Sequence, residues 1–157
     1  MNYSIPKDIF VKAAKEYGTP LWIYNRETIE ERVKETKVFD VVRYAQKACS
    51  NLSVLALMKR LGVVVDAVSA GEIVRALKAG YKGGIEKGKA PEIVYTADIF
   101  DADALELVKQ HKIPVNIGSP DMIEQLAAAG IRTDLTLRVN PGFGHGHSSK
   151  VNTGGDL

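Results

Sequence analysis

Residues 44–51 read YAQKACSN and set one lysine, Lys47, directly behind the apolar run VVRYA at 41–45. An ammonium group is disfavoured inside a strand and costly to bury without a partner. Lys47 is therefore either a solvated loop lysine or an amine kept uncharged for covalent chemistry with a carbonyl compound. Other reactive residue types fall at comparable places. Asp66 interrupts VVVDAV at 63–68, Ser69 and Glu72 follow it, and Arg138 and Asn140 lie at the end of DLTLRV (134–139). A carboxylate in a buried strand needs compensation, so Asp66 is either functional or paired with Arg43. Ser69 and Glu72 have S-x-x-E spacing, which the start of a helix accounts for without any catalysis. Arg138 stays protonated in any role, whether in a site or as an ion-pair member of a core layer. His145 and His147 in GHGHSS stand at i,i+2, but no third ligand lies at a recognisable spacing, so the segment reads as a polar loop. Cys49 reads as a small packing residue.

The elements that must position these residues follow from periodicity. Strands are predicted at 41–45, 63–68, 92–96, 113–118 and 134–139. Between them, Val54, Leu55, Leu57, Met58 and Leu61 share one helical face over 51–61, and Gly62 closes it. A second helix runs from Ser69 to Gly80 and a third over 101–110. A fourth has Ser119 as its cap, Pro120 at its first position and Gly130 at its end. Residues 82–92, KGGIEKGKAPE, lack periodicity and read as a solvated loop rather than a basic binding patch. Strands alternating with helices make a parallel sheet, either open and doubly wound or part of a (β/α)8 barrel. No G-x-G-x-x-G follows a strand, which argues against a dinucleotide fold. In a barrel, the C-terminal strand ends converge on one face, and that arrangement gathers Lys47, Asp66, Ser69, Arg138 and Asn140 around one pocket.

GTPLWIYN at 18–25 reads as a strand and 26–39 as a helix of mixed charge, both ahead of the first β/α unit. The expected division is a segment 1–25 tied to a separate β-domain and a partial barrel over 26–157. A complete barrel takes about 250 residues. This sequence stops after five strands at GGDL, so it reads as the N-terminal portion of a longer protein.

Bulk properties narrow the function classes. The 157 residues are 45% hydrophobic and carry a net charge of +2, which gives no electrostatic case for nucleic acid or an anionic membrane. No apolar run approaches the roughly 20 residues of a membrane span, and MNYSIPKDIF lacks the apolar core of a signal peptide. A single cysteine excludes an internal disulfide and fits the reducing cytoplasm.

YGTPLWIY, YAQKACSN, VDAVSAGEIVRALKAGY and LRVNPGFGHGHSSKVNTGG together resemble the diaminopimelate decarboxylase family over nearly all of the chain. That family is similar to the ornithine and arginine decarboxylases and alanine racemase, all fold-type III enzymes that use pyridoxal 5'-phosphate. The resemblance implies a cytoplasmic homodimer that releases CO2 from meso-diaminopimelate to give L-lysine. Lys47 matches the lysine that holds the cofactor as a Schiff base. Asp66, Ser69, Glu72 and Arg138 match positions around the cofactor, and no metal is expected. A phosphate-binding glycine loop, a histidine stacked on the cofactor ring, a glutamate on the pyridine nitrogen and a cysteine segment shared across the dimer are implied further downstream. Two other readings accompany this one: a decarboxylase for ornithine, arginine or a carboxylated polyamine, or a catalytically silent module made of these residues alone.

Overall fold

The computed structural model describes residues 5–142, which separate into two compact units meeting in sequence between Val42 and Arg43. His145 and His147, with the rest of the GHGHSS loop, lie outside the described residues.

The first unit holds two helices, α1 (Lys7–Tyr17) and α2 (Arg26–Glu35). Helix α1 gives little sequence signal, because Pro6 stands at its cap position and none of its residues is buried. It ends at Gly18, whose φ of 82° lets its N–H reach the Ala14 carbonyl at 2.9 Å. Helix α2 starts where the Asn25 side chain accepts a hydrogen bond from the Thr28 N–H at 2.8 Å. It stops at Glu35 rather than Phe39. The Thr36 hydroxyl donates to the Val33 carbonyl at 2.8 Å, a local alternative to continued helix. Leu21–Asn25, read from sequence as part of a strand, have no ladder partner among the described residues. Strand structure requires a hydrogen-bonded neighbour, so the extended pattern of this segment is not sufficient on its own.

The second unit is the β/α array. Its strands are β1 (Arg43–Ala45), β2 (Val64–Ala67), β3 (Ile93–Tyr95), β4 (Val115–Ile117) and β5 (Leu135–Leu137). A short 3-10 turn, Gln46–Ala48, follows β1. Helices α3 (Leu52–Arg60), α4 (Ala70–Lys78), α5 (Ala102–His111) and α6 (Pro120–Ala128) connect the strands. All neighbouring strands are parallel, and the spatial order is the sequence order, β1-β2-β3-β4-β5. A doubly wound sheet reverses direction at a switch point. A sheet laid down in strict succession is instead the wall of a (β/α)8 barrel, and this decides between the two architectures left open by periodicity in favour of the expected barrel.

Alternation along each strand assigns the two faces. Val65, Ala67, Ile93, Tyr95, Val115 and Ile117 are buried and join Leu55, Ile73, Ala104, Val108 and Met122 from the helices in one core. Asp66, Val94, Asn116 and Thr136 therefore lie on the opposite face, away from the helix layer. The loop 82–92 is solvated, as expected. Both of its glutamates are paired with lysines: Glu86 meets Lys89 at 2.7 Å, and Glu92 meets Lys59 of α3 at 2.6 Å.

Tyr81 ties this layer together. It is buried, and its hydroxyl lies 3.2 Å from the Leu55 carbonyl and 3.0 Å from that of Val63, linking the start of α3 to the start of β2. Burial, reinforced by the Glu92 charge, pushes its phenol well above the ordinary range. Tyr81→Phe is expected to lower the free energy of unfolding by about 1–2 kcal/mol. The loss should appear as an earlier urea midpoint with an unchanged slope. A midpoint equal to that of the wild type would mean that water replaces the hydroxyl without loss.

Candidate active site

The C-terminal ends of the strands carry the reactive side chains. Lys47 rides on the 3-10 turn after β1 and is exposed, while its neighbour Gln46 is fully buried. The far end of the turn is pinned by the Tyr44 hydroxyl, which donates to the Cys49 carbonyl at 3.1 Å. Burial, followed by the charge of Cys49, raises the Tyr44 phenol. Lys47 itself has no hydrogen bond or ion pair among the described residues.

Asp66 is in register with Ala45 of β1 and Val94 of β3, so it stands next to the strand that leads into Lys47. Thr96 Oγ1 donates to its Oδ1 at 2.5 Å. The alternative partner, Arg43, is engaged elsewhere: Nη1 donates to the Val65 carbonyl at 2.7 Å and Nη2 to that of Pro91 at 3.0 Å. Burial lowers the Arg43 pKa, and the charge of Asp66 opposes this. Asp66 thus stabilises the half-buried guanidinium through its field and takes its own hydrogen bond from a threonine.

Ser69 and Glu72 form the start of α4. Ser69 Oγ accepts from the Glu72 N–H at 3.3 Å, and Glu72 Oε2 accepts from the Val68 N–H at 2.8 Å. The reciprocal bond of a capping box goes to the N-cap residue's own N–H. Here it goes one residue earlier and closes the turn between β2 and α4. Glu72 is buried in doing so, its carboxylate held against backbone. Arg138 extends β5 by donating its N–H to the Ile117 carbonyl at 2.8 Å, and its guanidinium meets Asp98 at 3.1 Å. At the same end, Asn116 Nδ2 donates to Thr136 Oγ1 at 2.8 Å, and Asn140 Oδ1 accepts from the Gly142 N–H at 3.0 Å.

Asp66, Ser69, Glu72, Arg138 and Lys47 thus all lie at or just beyond the C-terminal end of the sheet. Ser69 and Glu72 serve the helix start, Asp66 lies on the inner face, and Arg138 and Lys47 are accessible. Thr96, Asp98, Asn116 and Thr136 escaped the sequence reading. Thr96 and Asp98, either side of Ala97 and immediately after an apolar strand, are the signal that marks two of them. Among the described residues, no three His, Cys, Asp or Glu side chains come together to hold a metal ion, and no helix is long and apolar enough to cross a membrane.

Comparison with known proteins bears directly on this arrangement. Residues 26–156 match the family model described as pyridoxal-dependent decarboxylase, pyridoxal binding domain. The chain is 54% identical over 144 residues to a diaminopimelate decarboxylase of Streptomyces coelicolor, covering 92% of this chain and 32% of the relative. It is 52% identical over 141 residues to that of Escherichia coli K12, covering 90% and 33%. A crystal structure of a diaminopimelate decarboxylase superposes with a TM-score of 0.83 at 49% identity, covering 95% of this chain and 35% of that one. The chain therefore spans about a third of the length of the relatives it matches.

Proposed function

The chain belongs to the family of pyridoxal-dependent decarboxylases, and on that premise we propose that the whole protein decarboxylates meso-diaminopimelate to L-lysine and CO2 with pyridoxal 5'-phosphate. The observation that carries the proposal is the accessible amine of Lys47 at the end of β1. Identity above 50% to relatives of that name supports the choice of substrate.

The donor set at the strand ends fits the cofactor. It offers a primary amine for an aldehyde, a permanent positive charge at Arg138 for anionic groups, and a carboxylate at Asp66. When bound, pyridoxal phosphate supplies the aldehyde and a ring that accepts the electrons released as a carboxylate departs. Lys47 supplies the amine that retains the cofactor. The same amine would return a proton to the substrate carbon. Asp66, fixed by Thr96, sets its carboxyl group beside β1. Ser69 and Glu72 hold the first turn of α4 at the rim, and Arg138 orients negative charge there. In the whole protein, residues 1–25 join a β-domain, two copies form a homodimer, and the reaction runs in the cytoplasm.

The substrate is tested by supplying the whole protein with meso-diaminopimelate, L-ornithine and L-arginine separately and measuring released CO2. Diaminopimelate is expected to be preferred by at least about 100-fold in kcat/KM, because a site that pairs the distal carboxylate of its substrate rejects amino acids lacking it. One L-lysine should form per CO2. Faster release from ornithine or arginine would transfer the substrate assignment to that amino acid.

A further inference from the structure

Asp98 lies in the loop after β3 and has no task in the chemistry described above. Its carboxylate faces Arg138, whose Nη1 is 3.1 Å from Oδ1 and 3.2 Å from Oδ2. Two further contacts fix Asp98 from other directions. The Ser119 hydroxyl donates to the Asp98 carbonyl at 3.0 Å, tying the loop to the start of α6. Gly118 packs against Asp98 so closely that any Cβ there would run into the aspartate's carboxylate and Cα. Both charged side chains are half exposed, at 48% and 60%. An exposed pair of this kind contributes little to stability. Stability therefore does not account for the turn at Gly118 and Ser119 and the end of β5 converging on one aspartate.

We infer that Asp98 is a positioning residue that sets the direction of the Arg138 guanidinium towards the ligand at the C-terminal strand ends. The inference rests on the reading of this site as a pyridoxal-phosphate pocket. A guanidinium has five N–H donors in a rigid fork, so engaging Nη1 with both oxygens of one carboxylate fixes where the remaining donors point. Asp98 never touches the reacting atoms and acts only through Arg138.

The test uses the whole protein in four forms: wild type, Asp98→Asn, Arg138→Met and the double variant. Affinity for pyridoxal phosphate, followed by visible absorbance, and kcat/KM for CO2 release are measured on each. Asp98→Asn is expected to lower kcat/KM about 10–100-fold, the range seen when the partner orienting a functional group is removed. It should also weaken cofactor binding. On the Arg138→Met background, the same change should have no further effect on either quantity. Equal losses on both backgrounds, or wild-type values in Asp98→Asn, overturn the inference. Gly118→Ala disturbs the contact without altering either charge and should reproduce the loss. Wild-type behaviour of Gly118→Ala overturns the inference even if Asp98→Asn misfolds. A wild-type protein that neither binds pyridoxal phosphate nor releases CO2 overturns the reading of the site, and this inference with it. That result is distinct from additive losses in a protein that does both.

Discussion

Lys47→Ala in the whole protein is expected to abolish borohydride-dependent labelling by pyridoxal phosphate and to lower decarboxylation by at least about 1000-fold. The size follows from the part assigned to the amine. A group that both retains the cofactor and returns a proton has no substitute in a methyl side chain. Lys47→Arg separates nucleophile from charge, because a guanidinium stays protonated and cannot attack an aldehyde. It should be as inactive as the alanine variant. Neither change should move stability by more than about 0.5 kcal/mol, since Lys47 is exposed and unpartnered among the described residues. A solvated bystander gives the opposite result, with label and activity intact. Peptide mapping that finds the label on another lysine removes the central assignment.

The second large effect is on stability. Ile73 in α4 is fully buried in the core shared by Val65, Ile93 and Tyr95. Ile73→Ala is expected to cost about 2–5 kcal/mol, the sum of lost apolar transfer and the cavity left behind. Val74, the next residue of the same helix, is 37% exposed. Val74→Ala removes less buried surface than Ile73→Ala and replaces a β-branched residue with the best helix former, so it should cost less than about 1 kcal/mol. Urea denaturation of the two variants side by side checks the argument. Similar midpoints would mean that α4 is not packed on the sheet through Ile73. The first turn of α4 carries Ser69 and Glu72, so a variant that loosens the helix should also blunt activity.

Much of the fold was legible because each signal is local. The apolar faces of α3 and α4, the Ser69 cap, Pro120 at the start of α6 and the short apolar runs of β2 to β4 all depend on neighbours a few residues apart. Helix α1 is not legible in the sequence because its cap position is Pro6 and it buries none of its residues. Helix α2 ends short of the stretch its residues favour because the bond from the Thr36 hydroxyl to the Val33 carbonyl competes with helix in a way that composition does not reveal. Ser119 was correctly placed at the start of α6, yet its hydroxyl serves Asp98 rather than the helix. Residue type gave the position, and the loop from β3 gave the bond.

The sequence by itself determined the order of elements, the parallel sheet and the location of Lys47, Asp66 and Arg138 at strand ends. Periods of 2 and 3.6 residues are properties of the chain over a single element. Only the tertiary structure decided that the strands succeed one another without a switch point and that Asp66 takes its hydrogen bond from Thr96 instead of pairing with Arg43. It alone joined Asp98 to Arg138 across 40 residues. Those contacts depend on strand register, which brings the ends of β2 and β3, and of β3 and β5, to a common rim. Register is set by how the buried faces of neighbouring strands pack, and no single strand carries that information.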